Sequence, residues 1–229
     1  MKILAIIPCY NEEGSLKNTV ENFRAKNPDI DFVVVNDGSN DNTYKLCIEN
    51  KYPVIDIPFN LGLSNAIQTG MCYAYNNEYE MALQFDGDGQ HNPDYISEMI
   101  KKMQDTSADI VIGSRYLHKG SLSLRGFGKR IIRVAIKITT KKNITDPTSG
   151  MRLFNREMIK KFALNINHGP EPDTLAYLIN QGMIVVEIPV VMWERKAGKS
   201  YLSALTSMLY MLRMIVSIIF IQWFRVKEN

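Results

Sequence analysis

Cysteines are scarce in this sequence, and uninterrupted apolar segments are short. The three cysteines, Cys9, Cys47 and Cys72, lack the spacing of a metal site, and isolated cysteines in odd number indicate a reducing compartment. The first apolar run, ILAIIP, ends after six residues, so it predicts a strand rather than a signal peptide. Neither internal repeats nor low-complexity tracts occur. A chain of 229 residues with 45% hydrophobic and 22% charged residues is therefore expected to form one large domain, or a domain with an appendage.

Two nucleotide-binding fingerprints are also missing. No G-x-G-x-x-G follows the first apolar run, and no G-x-x-x-x-G-K-[ST] occurs anywhere in the chain. A Rossmann dinucleotide site and a P-loop are therefore not expected.

Basic residues are few in the first half of the chain and concentrated in the middle. Residues 1–114 contain 8 basic and 17 acidic residues, a net charge of −9, whereas residues 115–161 contain 13 and 2, a net charge of +11. The basic block is expected to face an anionic partner or to balance the acidic part. We do not expect nucleic acid, because the block lacks interleaved surface aromatics for base stacking. A phosphorylated substrate or an anionic membrane surface fits this charge at least as well.

Apolar runs alternate with helical periodicity over the first half of the chain. Short β-rich runs occur at KILAIIP, DFVVVND, VIDI, MALQF and DIVIGS. Helices are predicted over residues 12–26, 41–50, 63–76 and 94–104. This alternation predicts an α/β fold with a mostly parallel, doubly wound sheet. The strands are followed by the polar segments CYNEE, NDGS, DGD and SR, so we expect a binding site beyond the carboxyl ends of the strands.

Asp86, Asp88 and Gln90 are three oxygen-bearing side chains at alternate positions of LQFDGDGQHNPD. On an extended segment all three can point one way, and hard oxygen ligands suit Mg²⁺ or Mn²⁺. They do not complete a six-coordinate shell, which Mg²⁺ commonly completes with water and substrate phosphates. The segment therefore predicts a metal site that takes a nucleotide-linked diphosphate; the alternative is a glycine-rich turn with solvated acids. His91 is not expected to be a ligand.

A second acidic strand end, VVVNDGSNDNT, contains Asp37. An Asx-type turn explains these residue types, but beside a metal site we favour hydrogen bonding between Asp37 and a nucleobase edge. Glu12 and Glu13 are predicted to open a helix, where the helix dipole favours negative charge.

The second half of the chain adds further candidate residues. Ser149, Gly150 and Arg152 are predicted at a loop-to-strand junction, and Glu171 and Asp173 at a helix start, either as caps or facing an acceptor. The basic loop RKAGKS contains Arg195, Lys196, Lys199 and Ser200 around a glycine, which suits it to holding phosphate.

Two segments are candidates for membrane contact. Residues 125–142 are predicted to form a helix with a basic stripe (Arg130, Arg133, Lys137, Lys141) and an apolar stripe (Phe127, Ile131, Val134, Ile138). The pattern fits an interfacial membrane helix and, equally, a core-packed helix with a solvated basic face. Residues 202–224 contain one charge, Arg213, near the middle, which is costly inside a bilayer. We favour a helix that lies on or partly in the cytoplasmic face of the membrane. A helix that packs on a partner membrane protein is supported nearly as well by the same pattern.

These segments together resemble family 2 glycosyltransferases, most closely the dolichol- or polyprenyl-phosphate sugar synthases. The resemblance rests on IIPCYNEE, VVVNDGSNDNT, NLGLSNAI, LQFDGDGQHNPD, IVIGSRY, TSGMRLF and EIPVVMWERKAGKSYL, which cover nearly the whole chain in the expected order. It implies a GT-A type fold: a Rossmann-like, mostly parallel central sheet flanked by helices, with C-terminal amphipathic helices. We expect a catalytic domain at residues 1–200, with a nucleotide- and metal-binding half (1–114) and an acceptor-binding half (115–200). Residues 201–229 are expected to form a membrane-associated or partner-binding helix.

The resemblance also implies an activity and a set of site residues. The activity is inverting transfer of a sugar from a UDP- or GDP-sugar to a polyprenyl phosphate at the cytoplasmic membrane face, with a small integral membrane protein as a possible further partner. Pro8, Tyr10 and Glu12 would line the nucleoside pocket with Asp37 at the base, and Asp86, Asp88 and Gln90 would bind Mg²⁺ or Mn²⁺ on the diphosphate. Arg115, Arg152 and Arg195 would bind donor or acceptor phosphates, together with Ser149, Lys199 and Ser200.

Three alternatives remain open. A hydroxyl acceptor on a lipid-linked or growing polysaccharide needs a general base, for which Glu171 and Asp173 are candidates, although HGPEPDT contains no obvious Glu-Asp pair. A lipid phosphate is already anionic and needs cations to position it, which the basic block favours. A nucleotidyltransferase would carry a basic glycine-rich loop where this chain has NEEG. A non-catalytic module that binds anionic membranes would show no metal-dependent nucleotide binding.

Overall fold

Seven strands form one central sheet in the computed structural model, which describes residues 1–117, 124–165, 169–194 and 204–220. The strands are β1 (Ile3–Cys9), β2 (Asp31–Asp37), β3 (Val54–Ile57), β4 (Met81–Gln84), β5 (Ile110–Ser114), β6 (Arg152–Asn155) and β7 (Val185–Pro189), in the order β3-β2-β1-β4-β6-β5-β7. Every residue of β1, ILAIIPC, is buried, as expected for a central strand that is covered on both faces.

The direction of the strands determines where the polar segments meet. The pairs β1–β2, β2–β3, β1–β4 and β5–β7 are parallel, whereas β6 runs antiparallel between β4 and β5. Six strands therefore end at one edge of the sheet, and β6 begins there, with Arg152 opposite Gln84 of β4. The predicted site residues that lie at the ends of β1, β2, β4 and β5 are thus gathered at a single edge.

Eight α-helices cover the two faces of the sheet in the described part of the chain. They are α1 (Leu16–Lys26), α2 (Thr43–Glu49), α3 (Leu63–Asn76), α4 (Ile96–Thr106), α5 (Leu124–Thr140), α6 (Arg156–Leu164), α7 (Pro172–Asn180) and α8 (Ala204–Ile219). One core lies between the sheet and helices α1, α2 and α4, and the other between the sheet and helices α3, α5, α6, α7 and α8. This α/β architecture with a mostly parallel sheet confirms the predicted fold class.

The first helix begins four residues later than predicted. The backbone carbonyl of Glu12 accepts hydrogen bonds from the amides of Ser15 and Leu16, and Asn11 has a positive φ of 56°. The chain therefore turns sharply after β1, and Leu16 is the first residue of α1. The prediction that Glu12 and Glu13 lie in the first turn of the helix was wrong, because this turn separates them from it.

Helix α5 contacts the core with a different stripe from the one that the sequence pattern singled out. Ile132, Ala135 and Ile136 are buried, whereas Ile131, Val134 and Ile138 of the predicted apolar stripe are exposed. Helix α5 is thus both packed on the core and apolar on an outer side.

Helix α8 packs against α5 and α7. It buries Met214 and Ile218 in the same core as those helices, while Leu209, Leu212 and Val216 are exposed. Among the described residues, none of the helices is long and apolar enough to cross a membrane.

Candidate active site

The acidic segment that follows β4 lies against the end of β1. The Phe85 amide donates to the carbonyl of Ile6, and the Gly87 amide donates to the carbonyl of Pro8. A Cβ atom at Gly87 would collide with Sγ of Cys9, so only glycine fits at this distance from β1. This close packing fixes the backbone on both sides of Asp86.

Three neighbours surround the carboxylate of Asp86. Nε2 of Gln84 donates to Asp86 Oδ1 at 3.0 Å, and Nε2 of His91 lies 3.5 Å from Asp86 Oδ2. Nδ1 of His91 accepts a hydrogen bond from the Asp86 amide at 2.9 Å, so the ring contacts both the main chain and the side chain of Asp86. Gly150 packs against Oδ2, where a Cβ atom would collide with it. Asp86 nevertheless keeps 27% of its side chain exposed.

Asp88 and Gln90 complete the predicted metal-binding segment. Both are partly exposed, and Asp88 Oδ1 accepts a hydrogen bond from the Gln90 amide at 3.0 Å. Among the described residues, no group of three or more His, Cys, Asp and Glu side chains is placed to bind a metal ion. Two carboxylates and one amide oxygen are a hard donor set, which fits Mg²⁺ or Mn²⁺ together with oxygen ligands from water or a bound molecule.

Arg115 lies at the same edge of the sheet, directly after β5. Its Nε donates to Asp146 Oδ2 at 2.6 Å and its Nη2 to Asp146 Oδ1 at 2.8 Å, a bidentate pair in which Asp146 is fully buried and Arg115 is 29% exposed. Burial opposes the charge of the guanidinium, but Asp146 outweighs it and raises the pKa of Arg115. Glu187 of β7 in turn accepts hydrogen bonds from the amides of Thr145 and Asp146. Arg115 is therefore a fixed cation that is still partly open to a ligand.

Arg152 and Ser149 lie behind this surface rather than on it. Arg152 is buried, and its guanidinium donates to the carbonyls of Ser149 and Pro147 at 2.8 and 2.7 Å. Burial lowers the pKa of Arg152 to about 10, so the side chain is still charged at neutral pH. The Ser149 hydroxyl is buried as well and donates to the carbonyl of Gly113 at 2.6 Å. Both side chains fix the loop that carries Gly150 against Asp86.

The residues predicted to bind the nucleoside lie at the ends of β1 and β2. Pro8 is buried within β1 and Tyr10 is partly exposed after it. Asp37 is buried, and its two carboxylate oxygens accept hydrogen bonds from the amides of Leu61 and Gly62, both at 2.8 Å. The Glu12 carboxylate accepts a hydrogen bond from the Ser15 hydroxyl at 2.7 Å. Asp37 and Glu12 thus shape the loops around this end of the sheet.

Glu171 and Asp173 lie at the start of α7 but have different surroundings. Glu171 is partly exposed, and its Oε1 accepts a hydrogen bond from the Ser64 hydroxyl at 3.2 Å. Asp173 is buried; its Oδ1 accepts from the amide of Thr174 and its Oδ2 from the hydroxyl of Ser217 at 2.6 Å. Asp173 is therefore hydrogen-bonded to a side chain of α8. The predicted phosphate-binding residues Arg195, Lys199 and Ser200 lie outside the described residues.

Sequence patterns missed three residues of this region, Gln84, Asp146 and Glu187, and assigned no role to His91. Gln84 carried the clearest signal, since it is a polar residue within the apolar run MALQF. Asp146 and Glu187 carried none, because their contacts with Arg115 and residues 145–146 join segments that are 31 to 42 residues apart.

The sequence is similar to several characterised transferases. A UDP-N-acetylglucosamine–dolichyl-phosphate N-acetylglucosaminyltransferase of Methanococcus voltae is 33% identical over 69% of this chain and 71% of its own length. A polyprenol monophosphomannose synthase of Mycolicibacterium smegmatis is 29% identical over 88% of this chain and 81% of its own. An undecaprenyl-phosphate mannosyltransferase of Micrococcus luteus is 28% identical over 89% and 88% of the two chains.

Solved structures share the fold at low sequence identity. Glucosyl-3-phosphoglycerate synthase of Mycobacterium tuberculosis, in complex with phosphoglyceric acid, matches with a TM-score of 0.73 at 16% identity, over 99% of this chain and 81% of that one. A mannosyltransferase of Pyrobaculum calidifontis in complex with GDP-Man and Mn²⁺ matches with a TM-score of 0.68 at 17% identity, over 100% and 65% of the two chains. These similarities show a GT-A fold.

A protein-family model decides the family. The model described as glycosyl transferase family 2 matches residues 4–162, which include β1 except for Ile3, the whole of β2 to β6 and the acidic segment around Asp86. On this match the chain belongs to glycosyltransferase family 2.

Proposed function

We propose that this chain is an inverting glycosyltransferase that moves a sugar from a UDP- or GDP-sugar to a polyprenyl phosphate at the cytoplasmic face of the membrane. The observation that carries the proposal is the position of Asp86 and Asp88, which lie partly exposed beyond the carboxyl end of β4 in a family 2 glycosyltransferase. The names of the three relatives, each of which acts on a dolichyl, polyprenol or undecaprenyl phosphate, support the choice of acceptor.

The donor diphosphate belongs beside Asp86, Asp88 and Gln90. These residues would bind Mg²⁺ or Mn²⁺, and such an ion offsets the negative charge that develops on the leaving diphosphate. Arg115 supplies a cation at the end of β5, which β6 separates from β4, and its bond to Asp146 keeps the guanidinium in a fixed orientation. The nucleoside is proposed to bind between Tyr10 and the loop of Leu61 and Gly62, whose amides donate to Asp37.

The surroundings of Asp173 favour a phosphate acceptor over a hydroxyl acceptor, whereas Glu171 is partly exposed and is the remaining candidate base for a hydroxyl acceptor. A hydroxyl must lose a proton to a general base, whereas a lipid phosphate already carries the charge of the nucleophile. Asp173 is buried and accepts hydrogen bonds from Thr174 and Ser217, so it is unsuited to remove a proton from a ligand. Arg152 and Ser149 are positioning residues in this proposal, because they fix the loop of Gly150 from behind.

The outer sides of α5 and α8 are proposed to contact the membrane. We call them the α5–α8 surface; its exposed apolar residues are Ile131, Val134, Ile138, Leu209, Leu212, Val216, Ile219 and Phe220, and its exposed cations are Arg130, Lys137 and Arg213. Apolar side chains with cations among them are typical of a surface that lies in the interface of an anionic bilayer. Such a location would bring the lipid acceptor to the protein.

Calorimetry and a transfer assay together test the proposal. Titration of the protein with UDP and with GDP, each with and without Mn²⁺, is expected to show binding that depends on the metal for one of the two nucleotides. Radiolabelled UDP- and GDP-sugars are then incubated with polyprenyl phosphate, and a labelled lipid that mild acid hydrolyses is the expected product. If neither nucleotide binds in a metal-dependent way, the transferase proposal is wrong.

A further inference from the structure

Gln84 is a buried polar residue at the end of an otherwise apolar strand. It is the last residue of β4, it is 1% exposed, and it lies opposite Arg152 in the antiparallel pair of β4 and β6. The preceding residues of the strand, Met81, Ala82 and Leu83, are apolar and buried. An amide at this position needs a reason, because burial of a polar group costs free energy unless both of its ends are hydrogen-bonded.

The nitrogen and the oxygen of the Gln84 amide have different surroundings. Nε2 donates to Asp86 Oδ1 at 3.0 Å, whereas Oε1 is buried and has no hydrogen-bond partner among the described residues. The reverse orientation of the amide would turn Oε1 towards the Asp86 carboxylate and create a repulsive contact between two acceptors. The contact with Asp86 therefore determines the orientation of the Gln84 amide. A contribution to the stability of the fold does not by itself explain why a glutamine occupies this buried position.

We propose that Gln84 is a positioning residue that fixes the carboxylate of Asp86 for a divalent ion. This inference rests on the proposed function, in which Asp86 is a metal ligand. The Nε2 bond to Oδ1 restricts rotation of the carboxylate, and His91 holds the main chain of the same residue through the Asp86 amide. Such support of ligands by neighbouring hydrogen bonds commonly changes metal affinity about 10- to 100-fold.

The substitution Gln84→Met separates positioning from packing. Methionine has a similar length and no hydrogen-bonding amide, so it removes both the bond to Asp86 and the buried oxygen without a partner. We expect the affinity for Mn²⁺ in the presence of saturating UDP or GDP to fall about 10-fold or more. The Tm of the metal-free protein is expected to stay the same or to rise, because a buried acceptor without a partner is removed and water can replace the lost donor at Asp86, which is partly exposed. Gln84→Leu provides a second apolar variant with the same expectation.

Gln68→Met is the matched control. Gln68 is a partly buried glutamine of α3, and its Nε2 donates at 3.0 Å to the carbonyl of Asn165, which is not a proposed metal ligand. Its Mn²⁺ affinity should equal that of the wild type.

The outcomes separate this inference from the proposed function. Weaker Mn²⁺ binding by both Gln84 variants at an unchanged or raised Tm supports the positioning role. Wild-type affinity in both variants overturns this inference and leaves the proposed function intact, as does a lowered Tm with unchanged Mn²⁺ affinity, which would indicate packing only. Failure of the wild-type protein itself to bind Mn²⁺ with either nucleotide overturns both.

Discussion

Asp86 and Asp88 have different surroundings although one residue separates them. Asp86 contacts Gln84 and His91 of its own segment and Gly150 of the loop before β6. Asp88 is partly exposed, and its Oδ1 accepts a hydrogen bond from the amide of Gln90. Asparagine keeps an acceptor at Oδ1, so this substitution at Asp88 is expected to change the charge of the site with little effect on the fold.

Asp88→Asn tests that expectation. The asparagine Oδ1 can still accept the hydrogen bond from the Gln90 amide, so the turn keeps its structure while one negative charge is lost. We expect metal-dependent transfer to fall by about 100-fold or more, since a metal ion supplies several kcal/mol of charge stabilisation. The rate of sugar transfer and the Tm are the measurements.

Asp94→Asn is the control for this substitution. Asp94 is exposed, and it forms an ion pair with Lys26 at 3.0 Å, which at the surface contributes little to stability. Its variant should transfer sugar at the wild-type rate. An Asp88→Asn protein that retains wild-type activity would refute the metal assignment.

At the scale of secondary-structure elements, strands and their polar ends were the most predictable features. The runs DFVVVND and VIDI coincide with β2 and β3, and the predicted helix at residues 63–76 coincides with α3. The two strands are short β-rich apolar runs, the helix buries one face, and polar or turn residues lie at their ends. Because parallel strands bring their carboxyl ends together, the placement of Asp37, Asp86 and Arg115 at one edge followed from the pattern alone.

Helix α5 shows why other features could not be predicted. It carries two apolar stripes, Ile131–Val134–Ile138 and Ile132–Ala135–Ile136, and only the second is buried. Periodicity identifies an apolar stripe, but the position of the helix on the sheet decides which stripe faces the core. Likewise, the Arg115–Asp146 and Ser217–Asp173 contacts join residues 31 and 44 positions apart, which no local pattern predicts.

The Ser217–Asp173 hydrogen bond connects α8 to the start of α7, and Ser217→Ala removes it. Both residues are buried, so water cannot readily replace the hydroxyl donor that the Asp173 carboxylate loses. Hydrogen bonds to charged groups contribute about 1.5–3 kcal/mol, and we expect the free energy of unfolding to fall by about that amount. Urea denaturation monitored by circular dichroism measures the change.

Thr69→Ala is the matched control for the loss of a hydroxyl from a helix. The Thr69 hydroxyl is exposed and donates to the Asn65 carbonyl of its own helix. Its removal should change the free energy of unfolding by less than about 0.5 kcal/mol. If Ser217→Ala were equally mild, the contact between α7 and α8 would not depend on this bond.

At the scale of the whole molecule, the charge segregation corresponds to a division of surfaces. The acidic residues 1–114 contain β1 to β5 and the proposed metal ligands, whereas the basic residues 115–161 include Arg115 and α5. Helix α8 adds exposed apolar residues next to α5, with which it packs. The basic part of the chain therefore supplies α5, one of the two helices of the α5–α8 surface.

Deletion of residues 202–229 is a poor test of membrane binding by this surface. Met214 and Ile218 of α8 are buried in the core shared with α5 and α7, so the deletion would expose that core. Loss of a buried Met or Ile side chain typically costs 2–5 kcal/mol, a large fraction of the stability of a domain. Point substitutions of exposed residues avoid this problem.

The last prediction concerns Ile138→Asp on α5 and Leu212→Asp on α8. These side chains are 74% and 58% exposed, so an aspartate at either position leaves the core intact. Each substitution removes an apolar group worth about 1.5–3 kcal/mol when buried in a bilayer and adds a charge that anionic lipids repel. We therefore expect co-sedimentation with vesicles that contain anionic phospholipid to weaken about 10-fold for each variant, and wild-type binding to weaken as NaCl is raised. Ile48→Asp, at a 54% exposed position of α2, is the control and should bind like the wild type. Undiminished binding by both α5–α8 variants would place the membrane contact elsewhere on the protein.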